Sequence, residues 1–251
     1  MKILKPSLLS PFTNVTAAFT TRHGGVSETP YTSANLAFHV GDNPDTVLKN
    51  HDALAQILAY ERNRLVHMRQ IHSDRIVVAD ESYTFNTPPE CDALITDTLN
   101  LPIMVMSADC TPIILYDPIR HACAAVHAGR AGALGKILPK TIKAMEQQFG
   151  SLRENLHVIM GPSIHGCCYE INETIAHETE SKGYVTALRR TEEKVFLDVN
   201  TILLHQLEAL SIETSHIEVI EHCTSCESDE YFSYRADRQK TGRIAGLIIL
   251  R

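Results

Sequence analysis

Two hydrophobic periods share this chain. Residues 15–21 form a β-rich run that ends at the glycine turn His23-Gly24-Gly25-Val26-Ser27. Asn43-Pro44-Asp45 then opens a stripe of Val47, Leu48, Leu54, Ile57 and Leu58 at mostly helical spacing, which predicts a helix through Ala59. Short apolar runs predict strands at 76–79, 93–96, 103–106, 113–116 and 122–126, so the middle of the chain reads as a sheet. A helix is predicted from after Gly132 to Phe149, with Pro139 either kinking it or marking a second start. A strand at 156–160, helices at 173–181 and 199–210, and strands at 217–220 and 244–250 complete the pattern. Strands dominate early and alternate with helices later, which predicts a mixed α/β (α+β) fold rather than a doubly wound sheet. No repeat, low-complexity stretch or linker divides residues 1–251, so they read as a single domain.

Composition narrows the function classes. The 23 basic and 30 acidic residues give a formal charge of -7 without long runs of either sign, which argues against a nucleic-acid surface. No apolar stretch approaches the ~20 residues needed to span a bilayer, and no secretory leader pattern opens the sequence. A cytoplasmic protein with no membrane partner is expected. Seven cysteines, an odd number in a chain of ordinary size, fit reduced thiols and metal chemistry better than a disulfide framework.

Candidate chemistry concentrates at the ends of apolar runs. His72, Cys110 and His127 lie in Gln70-Ile71-His72-Ser73, Ser107-Ala108-Asp109-Cys110 and Val126-His127-Ala128-Gly129. One thiolate and two imidazoles bind zinc with a fourth position open, as a catalytic metal requires. Their spacing has no local metal signature, and it leaves open a buried cysteine with two hydrogen-bonded histidines. Cys223-Thr224-Ser225-Cys226 is a CxxC with His216-Ile217-Glu218 upstream, but His222 stands where a zinc deaminase has proline, and the gap is too short. Cys167 and Cys168 are adjacent rather than two apart, so the spacing favours thiols without a metal there. The stretch from Gly129 to Lys136 is glycine-rich but fails the phosphate-loop pattern at Arg130 and Ile137; it reads as an anion-binding helix start or as small residues packing closely. Arg22, Arg235 and Arg243 are candidates for bidentate contacts to phosphate or ribose, and Tyr169, Tyr231, Phe232 and Tyr234 either stack on a heterocycle or fill a core.

With these segments together, the chain resembles the YfiH/YlmD family, also described as laccase-domain or polyphenol oxidase proteins and associated with purine nucleoside phosphorolysis. The resemblance runs through Thr21-Arg22-His23-Gly24-Gly25, Asn35-Leu36, Cys91-Asp92-Ala93-Leu94, Ala108-Asp109-Cys110, Gly161-Pro162-Ser163-Ile164, Cys223-Thr224, Phe232-Ser233-Tyr234-Arg235 and Thr241-Gly242-Arg243, as well as the segments of His72 and His127. It implies a sandwich of mixed β-sheets flanked by helices, with zinc on His72, Cys110 and His127 at one end. It also implies phosphorolysis of purine nucleosides with adenosine deamination as a related activity, in a monomer or small homo-oligomer. Candidates for holding nucleoside or phosphate are Arg22, Asn35, Arg130, Cys223, Arg235 and Arg243. One departure stands out: the family continues H-A-G with W-R-G, whereas Arg130-Ala131-Gly132 follows here, moving the arginine by one position.

Asp109, beside Cys110, is a candidate proton carrier or ligand-orienting group. Three rivals remain at this level. A copper oxidase uses the same donor types, although no His-X-His pair occurs in the chain. A Cys-His hydrolase acting on cell-wall precursors would use Cys110 as nucleophile. A non-catalytic binding protein would merely pack these side chains.

Overall fold

Runs such as Ile103-Met104-Val105-Met106 lack polar alternation because both faces of their strands are covered. The computed structural model describes residues 1–251. Its strands are β1 (Ile3–Leu4), β2 (Val15–Thr20), β3 (Val66–His67), β4 (Ile76–Val78), β5 (Ala93–Thr96), β6 (Ile103–Ser107), β7 (Thr111–Asp117), β8 (Ala122–Ala128), β9 (His157–Met160), β10 (Glu170–Ile171), β11 (Leu188–Arg190), β12 (Val195–Leu197), β13 (Ile217–Val219) and β14 (Ile244–Leu250). The helices are α1 (Pro44–Leu58), α2 (Arg130–Leu134), α3 (Ile137–Phe149), α4 (Glu173–Ser181) and α5 (Val199–Ala209).

Two mixed sheets form the sandwich. One has the order β1-β2-β14-β6-β3, with β3 and β6 parallel; the other has the order β13-β9-β7-β8-β5-β4, with parallel pairs at both edges. A small antiparallel sheet, β10-β12-β11, sits apart. The two-residue period of a strand assigns each side chain to a layer. Ile103, Val105 and Ile248 meet Leu94, Ile114 and Ala125 between the sheets. Met104, Met106 and Leu247 turn outward onto Leu54 and Leu58 of α1. On the opposite side, Ile113, Leu115 and Val126 pack on Ile142 and Met145 of α3 and Ile202 of α5. The result is a helix–sheet–sheet–helix order, and each fully buried Leu or Ile contributes about 1.5–3 kcal/mol.

The major elements lie within one or two residues of their predicted positions. The segment after His127 differs in detail. Instead of one helix beginning after Gly132, α2 starts at Arg130, and the chain breaks at Lys136, which adopts φ +62°. Pro139 lies in the first turn of α3, where its missing N–H breaks no helical bond, so it marks a second start. Strands β1, β3, β10, β11 and β12 have two or three residues each, too few to display alternation.

Candidate functional site

Strand β6 belongs to one sheet and β7 to the other, so the turn Ala108-Asp109-Cys110 crosses between them at one end of the sandwich. Asp109 holds the turn in a left-handed conformation, φ +89°, sparsely populated for a residue with a side chain. Its carboxylate accepts from Thr224 Oγ1, Ser233 Oγ and the Arg235 backbone N–H, each at 2.7 Å. Those bonds tie Asp109 to the segments of Thr224 and Arg235, and the residue also lines the cavity described below.

Pairing of Pro112 with His127 sets the end of β8 beside the start of β7. His127 therefore projects toward the inter-sheet space next to Cys110, and His72 reaches the same point from the loop after β3. The donor atoms of His72, Cys110 and His127 all lie within 4.8 Å of one another. Burial rises from exposed His72 through partly buried Cys110 to His127, which is 3% exposed.

Asp92, fully buried just before β5, organises this trio. One carboxylate oxygen accepts from His127 Nδ1–H at 2.9 Å and from the His72 backbone N–H at 3.0 Å. The other accepts from the Ser73 backbone and hydroxyl at 2.6 and 2.8 Å. Burial opposes ionisation of Asp92, but the bonds to His127 and Ser73 outweigh it and hold the carboxyl below its usual range. With Nδ1 bound to Asp92, His127 is left Nε2 as its free donor, the arrangement common at metal-binding histidines. Gly129 closes the site: a Cβ there would stand 2.9 Å from Cys110 Sγ and 3.4 Å from His72 Nδ1.

Electrostatics favour a thiolate. Burial pushes the Cys110 thiol up, but His127 and His72 overcome this and hold it down at about 6. Burial likewise lowers His127, while the Cys110 charge and Asp92 raise it to about 9. A thiolate and two oriented imidazoles facing a cavity fit zinc with an open fourth position. A multi-copper cluster would require more histidines than converge here.

The trio opens into a cavity of about 830 Å³, within the size range of small-molecule sites. Arg130, Arg235 and Arg243 line it together with Tyr169 and Tyr234. Arg235 Nη2–H donates to the Glu170 carbonyl at 3.1 Å, and the guanidinium lies 5.2 Å from the Tyr169 ring centroid. Burial pushes Arg243 below its ordinary value, opposed by Cys110 and Asp109. Arg130 pairs with Glu178 at 2.9 Å.

Other sequence candidates stand behind this wall. Asn35 is buried and accepts from the Arg243 backbone N–H at 3.0 Å. Arg22 donates to carbonyls of Thr32 and Ser228, faces Asp237 at 3.5 Å and covers the Phe232 ring at 4.8 Å. It thereby anchors the segment carrying Tyr234 and Arg235. Cys223 is buried among other cysteines rather than in the cavity, and Tyr231 and Phe232 fill a small core. Sequence reasoning did not single out Asp92, Ser73 or Gly129 as site residues. In sequence Asp92 is marked only by its place in Cys91-Asp92-Ala93-Leu94, one of the segments that carry the family resemblance.

The fold and this site together define a class, mixed-sheet sandwich proteins with a histidine–cysteine–histidine centre at one end. The chain belongs to the family described as multi-copper polyphenol oxidoreductase laccase, matched over residues 16–251, which includes the YfiH/YlmD proteins. It is 40% identical to a purine nucleoside phosphorylase of Corynebacterium glutamicum over 94% of each chain. It is 32% identical to the purine nucleoside phosphorylase YlmD of Geobacillus stearothermophilus over 95% of this chain and 91% of that one. The crystal structure of the hypothetical protein YfiH of Bacillus licheniformis superimposes with a TM-score of 0.93 at 31% identity, covering 99% of this chain and 96% of that one.

Proposed function

We propose that this protein is a zinc-dependent, cytoplasmic purine nucleoside phosphorylase. It converts adenosine, inosine and related nucleosides with phosphate to free base and ribose 1-phosphate, and it deaminates adenosine at the same centre. The observation that carries this reading is the convergence of three metal donors with Arg130, Arg235 and Arg243 on one cavity. Relatives named purine nucleoside phosphorylase support the substrate class. No helix is long and apolar enough to cross a membrane.

His72, Cys110 and His127 would hold the zinc, which supplies a Lewis acid and, for deamination, the means to activate water near neutral pH. The remaining chemistry belongs to the chain. Guanidinium groups of Arg130, Arg235 and Arg243 can clamp phosphate through paired N–H donors and hold it against the anomeric carbon. Tyr169 and Tyr234 offer ring faces to the purine. Asp92 fixes the His127 tautomer, and Asp109 fixes the turn that presents Cys110.

Incubating adenosine and inosine with and without phosphate tests the proposal. Base and ribose 1-phosphate should appear only with phosphate, whereas inosine should form from adenosine in either case. Absence of phosphate-dependent cleavage sinks the phosphorylase reading. A second reading rests on the Cys110–His127–Asp92 alignment, which would serve a cysteine hydrolase. Metal-independent turnover abolished by a thiol alkylator would favour it.

A further inference from the structure

Four cysteines outside the proposed active site meet because of sheet topology. β9 and β13 are parallel neighbours, so the loops that follow them leave the same end of the sheet side by side. Ser163 and Cys223 continue the pairing: Ser163 N–H donates to the His222 carbonyl at 3.2 Å and Thr224 N–H to the Ser163 carbonyl at 3.0 Å. The first loop carries Cys167 and Cys168, and the second carries Cys223 and Cys226. All four sulfurs lie within 4.8 Å of one another. Cys167 Sγ is 3.5 Å from both Cys223 Sγ and Cys226 Sγ, and Cys168 Sγ is 3.3 Å from Cys226 Sγ.

We propose that Cys167, Cys168, Cys223 and Cys226 form a second, tetrathiolate zinc site that ties these two loops together. With Zn–S near 2.3 Å, the edge of a sulfur tetrahedron is about 3.8 Å; three separations of 3.3–3.5 Å lie just inside that length, and all four sulfurs fall within 4.8 Å of one another, so a small outward shift seats the metal. The adjacent pair Cys167-Cys168 is no obstacle, since a turn and not a knuckle presents it. Iron–sulfur clusters place bridging sulfides between the irons and spread the cysteine sulfurs further than this group allows. Binding releases the thiol protons and leaves a net negative centre. Arg235 and Arg189, which donate to the Cys168 and Gly166 carbonyls, place positive charge beside it. Cys167 and Cys226 are exposed, so the site can load from solvent after folding.

Its consequence reaches the cavity. Tyr169 follows Cys168 directly, and Thr224, between Cys223 and Cys226, donates to Asp109. A metal here fixes both the aromatic wall and the support of the Cys110 turn. These are positioning effects, and the proposal does not depend on what the His72 centre catalyses.

Metal analysis of protein purified anaerobically without added metal tests it. Wild type should carry two zinc per chain, and X-ray absorption should average two to three sulfurs per zinc, at about 2.3 Å. A Cys110→Ala/His127→Ala variant should retain one zinc with four sulfurs, and Cys168→Ser/Cys226→Ser should lose one of the two. One zinc with four sulfurs in wild type would support this site while counting against zinc at the other. A wild type without any four-sulfur zinc, iron in its place, or an intact mass showing disulfides among these cysteines overturns the proposal. The wild-type measurements decide it even where a variant fails to fold.

Discussion

Replacing Asp92 with Asn tests how the centre is held. The change keeps volume and removes one acceptor from a fully buried group that receives at least four hydrogen bonds. Whichever way the amide turns, its NH2 faces N–H donors. In place of the first oxygen it opposes His127 Nδ1–H and the His72 amide; in place of the second it opposes the amides of Ser73 and, at 3.3 Å, Ile71. Two buried donors without an acceptor cost about 1–3 kcal/mol each, so roughly 2–6 kcal/mol of stability is at stake. Relief by moving the His127 proton to Nε2 would block its metal-binding atom. Zinc affinity at this centre should therefore fall about 10- to 100-fold. Urea unfolding of metal-free protein reads the first effect. Competition with a chromophoric chelator reads the second, as one zinc equivalent released at concentrations the wild type resists. An Asp92→Asn protein with unchanged unfolding midpoint and unchanged zinc retention refutes the reasoning.

Other substitutions probe separate links. Gly129→Ala places a methyl 2.9 Å from Cys110 Sγ, so the thiolate must shift; overpacking of about 1–3 kcal/mol and weakened zinc binding should appear in thermal melts and chelator competition. His51, 1% exposed, donates from Nε2 to the Leu36 carbonyl at 2.8 Å and leaves Nδ1 without a partner. Burial lowers it from 6.5 to about 3. The unfolded chain thus takes up a proton that the folded chain refuses, so His51's contribution is complete above about 6.5 and falls as pH drops. At pH 5 the loss is about 2 kcal/mol, and His51→Gln should flatten the urea midpoint between pH 7 and 5. Arg130→Gln and Arg243→Gln should each raise KM for phosphate about 10- to 100-fold while nucleoside KM stays within about twofold, read by steady-state kinetics; equal loss for both substrates would remove them from phosphate binding.

Strands β5, β6, β7, β8 and β14 were legible because each is a run of four to seven residues buried on both faces, whereas the three-residue β4 and β13 were legible only as short β-branched runs. α1 was legible for a second reason: Asn43 caps it and Pro44 occupies its first turn. β10 to β12 were not legible because their pairing comes from neighbours across a small sheet rather than from their own residues. The residue types of the candidate centre were visible, but their proximity was not. It arises from a turn crossing between sheets at Cys110 and from the β7–β8 register at His127. Asp92 stayed hidden because a carboxylate before a strand reads as a surface residue until its donors are seen. For Arg22 and Asn35, sequence could not distinguish lining a cavity from supporting its wall. The cysteine quartet shows the same limit: Cys167-Cys168 and Cys223-Cys226 are separate in sequence and adjoin only through the parallel pairing of β9 and β13.

The most direct test of the central claim is phosphate-dependent inosine cleavage measured on zinc-loaded protein, on chelator-stripped protein and on Cys110→Ala. Zinc-loaded wild type should release hypoxanthine and ribose 1-phosphate in equal amounts. Stripping should abolish this, zinc should restore it, and Cys110→Ala should remain inactive at any zinc concentration. Undiminished cleavage by stripped protein or by Cys110→Ala would contradict the account.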